Sequence, residues 1–160
     1  MSVLRFATHL WFDSQAVEAA EFYTGLVPGS RIDRVVDAPP GVPGAEPGAP
    51  FFVDLVLDGQ QYTFLNGGPL FPFDSQVSLY VLVDTQEEVD RYWAALTADG
   101  GKEVQCGWLT DRFGLSWQIV PEALERLMAD DDPAVRERVT KAMLGMVKLD
   151  VAGLERAAAG

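Results

Sequence analysis

The pattern of apolar and polar positions repeats itself along the chain. One apolar, strand-like run ends at Asp13-Ser14-Gln15, and a second ends at Asp84-Thr85-Gln86. Each is followed by apolar residues at the 3.6-residue spacing of an amphipathic helix, over residues 15–27 and 86–98. Because the same strand-to-helix pattern occurs twice, the sequence predicts two copies of one structural unit.

The later part of each half also repeats. An Asp58-Gly59 turn between two alternating runs predicts a hairpin over residues 51–65, and residues 107–120 have the same pattern around Gly114. The remaining predicted strands are residues 4–12, 31–36, 76–83 and 102–106. Each half is therefore a βαβββ module, and the predicted fold class is α+β.

An insert and a tail complete the predicted plan. Residues 37–50 contain five prolines and three glycines, a composition that excludes a helix or a central strand and predicts a flap. The tail is predicted to be helical, with Pro121 and Pro133 in first turns, Asp132 as a cap and a short last helix that begins at Asp150 and runs through Leu154. The predicted organisation is one domain, with the first module at 1–73, the second at 74–120 and the tail at 121–160.

Charge and composition narrow the classes of partner. The chain has 160 residues and a net charge of −12, and such a surface repels nucleic-acid phosphates and anionic membranes. No apolar run approaches the ~20 residues of a membrane helix, and no signal peptide is recognisable. A single cysteine, Cys106, fits a reducing compartment. We expect a cytoplasmic protein that binds neither nucleic acid nor membrane.

Short motifs spread along the chain carry a family resemblance. They are Trp11-Phe12-Asp13, Ala20-Glu21-Phe22-Tyr23, Pro28-Gly29-Ser30, Asp58-Gly59-Gln60, Asn66-Gly67-Gly68-Pro69, the segment 84–90 and the segment 106–118. Together they resemble the PhnB-like branch of the vicinal oxygen chelate superfamily, which contains glyoxalases, bleomycin-resistance proteins and dioxygenases. The resemblance extends over nearly the whole chain, tail included, and implies a homodimer whose modules curl into a cup.

The resemblance also implies where a metal would lie. Metal-using relatives take ligands from four strand positions inside the cup, which fall at Ala7 or His9, at Asp54, at Ser78 and at Gln118. One imidazole and one carboxylate with two neutral donors are a poor ligand set for a divalent metal. We therefore expect no cofactor; a divalent metal, if one were bound, would use His9, Asp54 and Gln118.

Candidate site residues follow from the same strands. His9 is the single histidine, and an imidazole can exchange a proton near neutral pH, so His9 with Asp54 to orient it is the candidate catalytic pair. A lone histidine beside aromatic residues is more often an interior or pocket residue with no catalytic role. The predicted ligand-binding residues are Trp11, Ser78, Trp108, Phe113, Trp117 and Gln118. For the aromatic members, core packing is the alternative interpretation.

Members of this branch are often described as demethylubiquinone methyltransferases. The nucleotide of a methyl donor such as S-adenosylmethionine is usually held by a glycine-rich strand-to-helix turn, and neither turn here contains glycine. The sequence favours a metal-independent protein of this fold that either binds a small molecule or converts it as an enzyme. The alternatives are a divalent-metal-dependent lyase, isomerase or dioxygenase, and a non-catalytic drug-sequestering protein.

Overall fold

The structure, a computed structural model, describes residues 6–160, which divide into two units at the junction of Phe73 and Asp74. The start of the predicted strand 4–12 therefore lies outside the described residues. In chain order the first unit contains β1 (Thr8–Phe12), α1 (Ala16–Leu26), β2 (Arg31–Asp37), β3 (Pro50–Leu57) and β4 (Gln60–Asn66). The strand order is β1-β4-β3-β2, with β1 parallel to β4 and the other pairs antiparallel.

Helix α1 covers one face of this sheet. Its buried residues are Ala16, Ala19, Ala20 and Tyr23, which fall at the i, i+3, i+4, i+7 spacing of one helix face. Alternate strand residues such as Leu10, Val53 and Phe64 are buried as well, because successive side chains of a strand point to opposite faces. The apolar alternation of the sequence thus decides which face of the sheet packs on the helix and which is left for polar residues.

The proline-rich insert lies between β2 and β3. Residues 38–49 form no helix or strand, in keeping with their composition. The loop is closed at its base, where the Ala38 N–H donates to the Ala49 carbonyl over 2.8 Å and the Gly48 N–H donates to the Ala38 carbonyl over 3.0 Å. The flap is therefore a surface loop with an ordered attachment to the sheet.

The second unit repeats the same topology. Its elements are β5 (Ser78–Val83), α2 (Gln86–Thr97), a short 3₁₀ turn (Ala98–Gly100), β6 (Lys102–Glu103), β7 (Trp108–Thr110) and β8 (Ser116–Pro121). The strand order is β5-β8-β7-β6, with β5 parallel to β8. A capping box between Thr85 and Glu88 starts α2. Two βαβββ modules in an α+β fold are therefore present.

Strand β6 is shorter than the predicted strand 102–106. The N–H groups of Cys106 and Gly107 donate to the carbonyls of Met146 and Val147 in the tail, over 2.9 and 2.8 Å. Both residues have a positive φ, 59° and 82°, so the chain turns away from the sheet after Glu103. A contact with distant residues, invisible in the local pattern, ends the strand early.

The tail is helical, as its sequence predicts. It forms α3 (Glu122–Met128), α4 (Pro133–Leu144) and α5 (Val151–Ala159), the last longer than the predicted end at Leu154. Asp132 caps α4 and Asp150 caps α5 through their carboxylates. Its core consists of Val120, Leu124, Leu127, Val139, Leu149 and Leu154. Among the described residues, no helix is both long and apolar enough to span a membrane.

Candidate functional site

A row of four polar side chains crosses the first sheet. In the strand register, His9 is opposite Thr63, Thr63 is opposite Asp54, and Asp54 is opposite Arg34. Residues opposite each other on neighbouring strands point to the same side of a sheet. The row therefore lies on the face that α1 does not cover, with one member from each strand.

A bulge in β2 completes the row. The pairing with β3 shifts by one residue between Ile32 and Arg34. A regular ladder continuing from Ile32 and its partner Leu55 would place Asp33 opposite Asp54, two like charges that would repel each other. The extra residue moves Arg34 into that position instead, which is one of the ways in which bulges redirect side chains at functional places.

Asp54 is held from both sides by its neighbours in the row. Its Oδ1 accepts a hydrogen bond from the Thr63 hydroxyl over 2.6 Å, and its Oδ2 accepts one from Arg34 Nε over 2.6 Å. The Thr63 hydrogen bond is the main cause that lowers the pKa of Asp54; partial burial opposes it, and Arg34 and then His9 lower it further. Asp54 is therefore an anion at neutral pH and a weak base.

Three members of the row, Arg34, Asp54 and Thr63, line a hollow that is open to solvent. The hollow has a volume of about 820 Å³ and is lined by Phe6, Ala7, Asp33, Arg34, Asp54, Gln61 and Thr63. The Arg34 side chain is 70% exposed and the Asp54 side chain 24%. His9 is exposed on the edge strand, with its ring 6.1 Å from that of Phe52. The hollow thus exposes the arginine while its carboxylate partner is largely covered.

Sequence reasoning placed His9 and Asp54 together and missed the two residues that bind Asp54. Thr63 stands between Asp54 and His9 in the register, and both Asp54 oxygens are engaged by Thr63 and Arg34. A signal was available in β4, where Gln61 and Thr63 alternate with buried aromatic residues. Arg34 precedes Val35 and Val36 in the same strand, and its alignment depends on the bulge.

Asp54 makes stability depend on pH. Because its folded-state pKa lies below its ordinary value of 3.8, the folded state resists protonation, so the stabilisation is present above the unfolded-state pKa and is lost as pH falls through the folded-state pKa. We expect Asp54→Asn to be less stable than the parent near pH 7, and the difference in unfolding free energy to shrink toward about pH 3. Urea unfolding across this range measures it. The exposed Glu21→Gln on α1 is the charge-matched control; a pH-independent difference would contradict the expectation.

The second sheet carries a different row at the corresponding positions. There Tyr80 is opposite Gln118, and Gln118 is opposite Trp108. Gln118 Nε2 donates to the hydroxyl of the predicted residue Ser78 over 2.9 Å. Burial and then a 2.7 Å hydrogen bond to Glu125 raise the pKa of Tyr80 to about 12, so its phenol is neutral. This row has neither imidazole nor carboxylate.

Trp117 lies in the core of the second unit and not on this open face. It is 1% exposed, and its indole N–H donates to Asp111 Oδ2 over 2.8 Å. Trp117 and Gln118 are consecutive in β8, and consecutive strand residues point to opposite faces. They therefore do not line one surface together, and the wall position predicted for Trp117 is corrected to a core position.

The other predicted aromatic residues are partly exposed. Trp11 lies on the same face as His9, its indole N–H donates to the Gly68 carbonyl over 2.8 Å, and a Cβ at Gly67 would come within 2.3 Å of its ring. Phe113 lies in the turn after β7, and the guanidinium carbon of Arg112 is 4.8 Å from the centre of its ring. Gly67 therefore has to be glycine for Trp11 to keep its position.

The residues of the polar row do not fit a divalent metal. Within residues 6–160, no three or more His, Cys, Asp or Glu side chains are grouped so that they could hold a metal ion. In the row itself, a metal on Asp54 would compete with the Arg34 guanidinium and the Thr63 hydroxyl for the same two oxygens. A cation placed beside a bound arginine is also repelled by its charge.

One protein-family model matches most of the chain. The family model described as 3-demethylubiquinone-9 3-methyltransferase matches residues 4–120. The chain belongs to this family. The match confirms the resemblance to the PhnB-like branch of the vicinal oxygen chelate superfamily. The matched region ends at residue 120, so the tail lies outside it. This differs from the expectation that the family resemblance includes the tail.

Solved structures agree with the family assignment. A putative 3-demethylubiquinone-9 3-methyltransferase, PhnB protein, from Bacillus cereus is 30% identical, with 74% of this chain and 99% of that chain covered and a TM-score of 0.66. Protein PA1353 from Pseudomonas aeruginosa is 22% identical, with 74% and 98% covered and a TM-score of 0.60. The second likeness supports the fold alone. Among curated proteins, none matches the chain.

Proposed function

We propose that the protein binds a small polar molecule on the open face of the first sheet, without a metal. The observation that supports this is the anchored carboxylate in the hollow: Asp54 is fixed by Thr63 and Arg34 where polar groups from β2, β3 and β4 line one surface. A concave surface with a few ordered polar groups is the usual form of a small-molecule site. The ordering comes from strands and a bulge, which hold side chains more precisely than loops do.

Metal independence is part of the proposal. The glyoxalase-type alternative requires Asp54 as a ligand, whereas both of its oxygens already accept hydrogen bonds. A metal would have to replace the ion pair and the hydroxyl contact before gaining its own bonds. His9 and Asp54 would then serve to position a ligand, and a proton-transfer role for His9 would need a substrate within hydrogen-bond reach of its ring.

Methyl transfer from a nucleotide donor is not part of the proposal. The N-terminus of α1 is capped from another strand, because the Ala16 N–H donates to Asn66 Oδ1 over 2.8 Å. The N-terminus of α2 is closed by its own capping box. Backbone N–H groups at such turns would be the natural contacts for a donor's anionic or hydroxyl groups, and the ones named here are already used.

The quaternary state and compartment complete the proposal. We infer a homodimer that acts in the cytoplasm on a small-molecule ligand, without nucleic acid or membrane partners. The dimer is inferred from the resemblance to the PhnB-like branch alone. The strongly acidic composition supports the absence of nucleic-acid and membrane partners, and the single cysteine supports a reducing compartment. Light scattering of the purified protein measures the mass directly, and a monomer at micromolar concentration would remove the dimer from the proposal.

Metal content and ligand response test the function. We expect tag-free protein to contain far less than one metal per chain, and Mg²⁺, Mn²⁺, Fe²⁺, Ni²⁺ and Zn²⁺ to shift its melting temperature by less than about 1 °C, since an ion that does not bind the folded state cannot stabilise it. A fragment screen by ¹H–¹⁵N spectroscopy should give ligands that shift the amides of Thr63 and Asp54. Elemental analysis and thermal melts make the first measurement.

The outcomes separate the alternatives. If the protein contains stoichiometric metal that is lost on His9→Ala or Asp54→Ala, the proposal is wrong and the protein is a metal-dependent lyase, isomerase or dioxygenase. Ligands that bind with chemical change would identify an enzyme, and ligands that only stabilise the fold would identify a sequestering protein. If ligands change the chemical shifts only of residues outside the hollow, and do so equally in Asp54→Asn, the hollow is not the binding site. Glu21→Gln provides the same loss of charge on α1 and should behave as the parent.

A further inference from the structure

The hydrogen-bonding groups of the hollow are unequally used. Each Asp54 oxygen accepts a hydrogen bond, and Asp33 Oδ1 accepts one from Arg31 Nε over 2.8 Å. Arg34 binds Asp54 through Nε, and a guanidinium has four further N–H donors on its two Nη groups. Three of the four carboxylate oxygens of Asp33 and Asp54 are thus engaged, whereas the Arg34 side chain is 70% exposed and turns its Nη edge to solvent.

We propose that the site takes a small molecule bearing an oxyanion, a carboxylate or a phosphate, with Arg34 as the residue that binds the anion and Asp54 as the residue that positions Arg34. This inference rests on the proposed function, because it names the class of ligand for the same hollow. It changes the expected role of Asp54 from a metal ligand or an orienting partner of His9 to a support for a neighbouring cation.

The geometry favours this assignment over an ordinary surface ion pair. Arginine binds carboxylate and phosphate through two parallel N–H donors, and a side chain that is already ordered loses less entropy when it binds. Here the order is built in: Thr63 fixes Asp54 over 2.6 Å, and Asp54 fixes Arg34 over 2.6 Å. The bulge at Asp33 brings Arg34 into line with them.

Local charge is also compatible with an anion. Arg31 pairs with Asp33, and Arg34 pairs with Asp54, so the charges around the hollow cancel in pairs. The chain as a whole carries −12. An anion approaching most of the surface is repelled, whereas at the hollow it meets a balanced patch in which the Arg34 Nη groups bind no acceptor among residues 6–160. A cationic ligand would find carboxylates whose charges are already compensated by arginine.

Four small probes at constant ionic strength test the inference: acetate and inorganic phosphate as anions, acetamide as the neutral analogue and methylammonium as the cation. Spectra of ¹⁵N-labelled full-length protein report the backbone amides and the Arg34 side-chain Nε–H signal. We expect saturable shifts of Arg34 and Thr63 with acetate and phosphate, and none with the other two probes. Because a bidentate contact is lost, Arg34→Lys should weaken anion binding by roughly tenfold or more while retaining the charge.

Two further variants separate positioning from charge. Asp54→Asn leaves the Arg34 residue unchanged but removes the charged group that holds its guanidinium. We therefore expect weaker anion binding and an Arg34 Nε–H signal that differs from that of the parent protein. Arg31→Lys is the matched control on the same strand and outside the hollow, and it should bind the anions within about twofold of the parent. Both arginine variants are at exposed side chains, and their melting temperatures verify that they are folded.

The contrary results are distinct. If acetamide or methylammonium shifts the same residues as well as the anions do, and Arg34→Lys binds them unchanged, the inference falls and the small-molecule site remains. If Arg31→Lys weakens anion binding as much as Arg34→Lys does, the effect is general charge attraction and the inference falls. If no probe or screened ligand shifts any residue of the hollow, the inference and the proposed function fall together.

Discussion

Replacing Asp111 by alanine is expected to lower the free energy of unfolding by about 3 kcal/mol or more. Asp111 is 3% exposed. Its carboxylate accepts hydrogen bonds from the N–H groups of Phe113 and Leu115 and from the indole N–H of Trp117, over 2.9, 3.1 and 2.8 Å. The substitution removes the acceptor and leaves these donors inside the protein, where each unsatisfied group costs about 1–3 kcal/mol. Urea unfolding monitored by tryptophan fluorescence measures the loss.

Two other substitutions serve as comparisons for the loss of stability in Asp111→Ala. Asp111→Asn keeps one oxygen and the shape of the side chain, so its loss should be clearly smaller. Asp74→Ala removes an exposed aspartate that caps a single N–H, that of Gln76, and is expected to cost about 0.5–1 kcal/mol. If Asp111→Ala and Asp74→Ala cost the same, the buried cradle of Asp111 would contribute no more than an ordinary surface cap.

Replacing Leu149 by alanine is expected to cost about 2–5 kcal/mol, the usual range for a fully buried leucine. Leu149 is 0% exposed and belongs to the core formed by the tail and the end of β8. Its side chain lies 2.9 Å from where a Cβ of Gly107 would be, so it also packs against the turn after β6. The tail lies beyond the family match, and this substitution tests whether it is nonetheless part of the folded unit.

The control for Leu149 is another leucine of the same tail. Leu144 is 58% exposed, and Leu144→Ala should change the unfolding free energy by no more than about 0.5 kcal/mol. Urea unfolding measures both variants. Amide hydrogen exchange adds a local readout, since Leu149→Ala should speed exchange at Cys106 and Gly107, whose N–H groups bind the tail. A loss below about 1 kcal/mol for Leu149→Ala would show that the tail is an accessory to a self-sufficient module.

The repeated architecture is the part of the fold that local sequence determines. The turn at Asp58-Gly59 illustrates why: both residues have a positive φ, 43° and 79°, as the two central positions of a type I′ hairpin turn require. Aspartate and glycine are among the residues that adopt this conformation most readily, so these two residues were enough to predict the hairpin turn. Apolar spacing then assigned one face of each strand to the core.

The polar row could not be predicted in the same way, because it depends on register. Arg34 is opposite Asp54 because of a one-residue bulge, and no local sequence pattern predicts that bulge. A shift of one residue reverses every side chain of a strand, which is also why Trp117 and Gln118 were both assigned to one surface. The early end of β6 has a different origin, since the residues that cause it lie about 40 positions further along the chain.

The bonds from Cys106 and Gly107 to Met146 and Val147 also impose an order on biosynthesis. A ribosome adds roughly 5–20 residues per second, so the acceptors of these bonds are made about 2–8 s after their donors. Until then the N–H groups of the turn are satisfied by water, and the apolar end of β8 has no tail to pack against. The nascent chain therefore passes through a period in which the second unit still awaits its last helices.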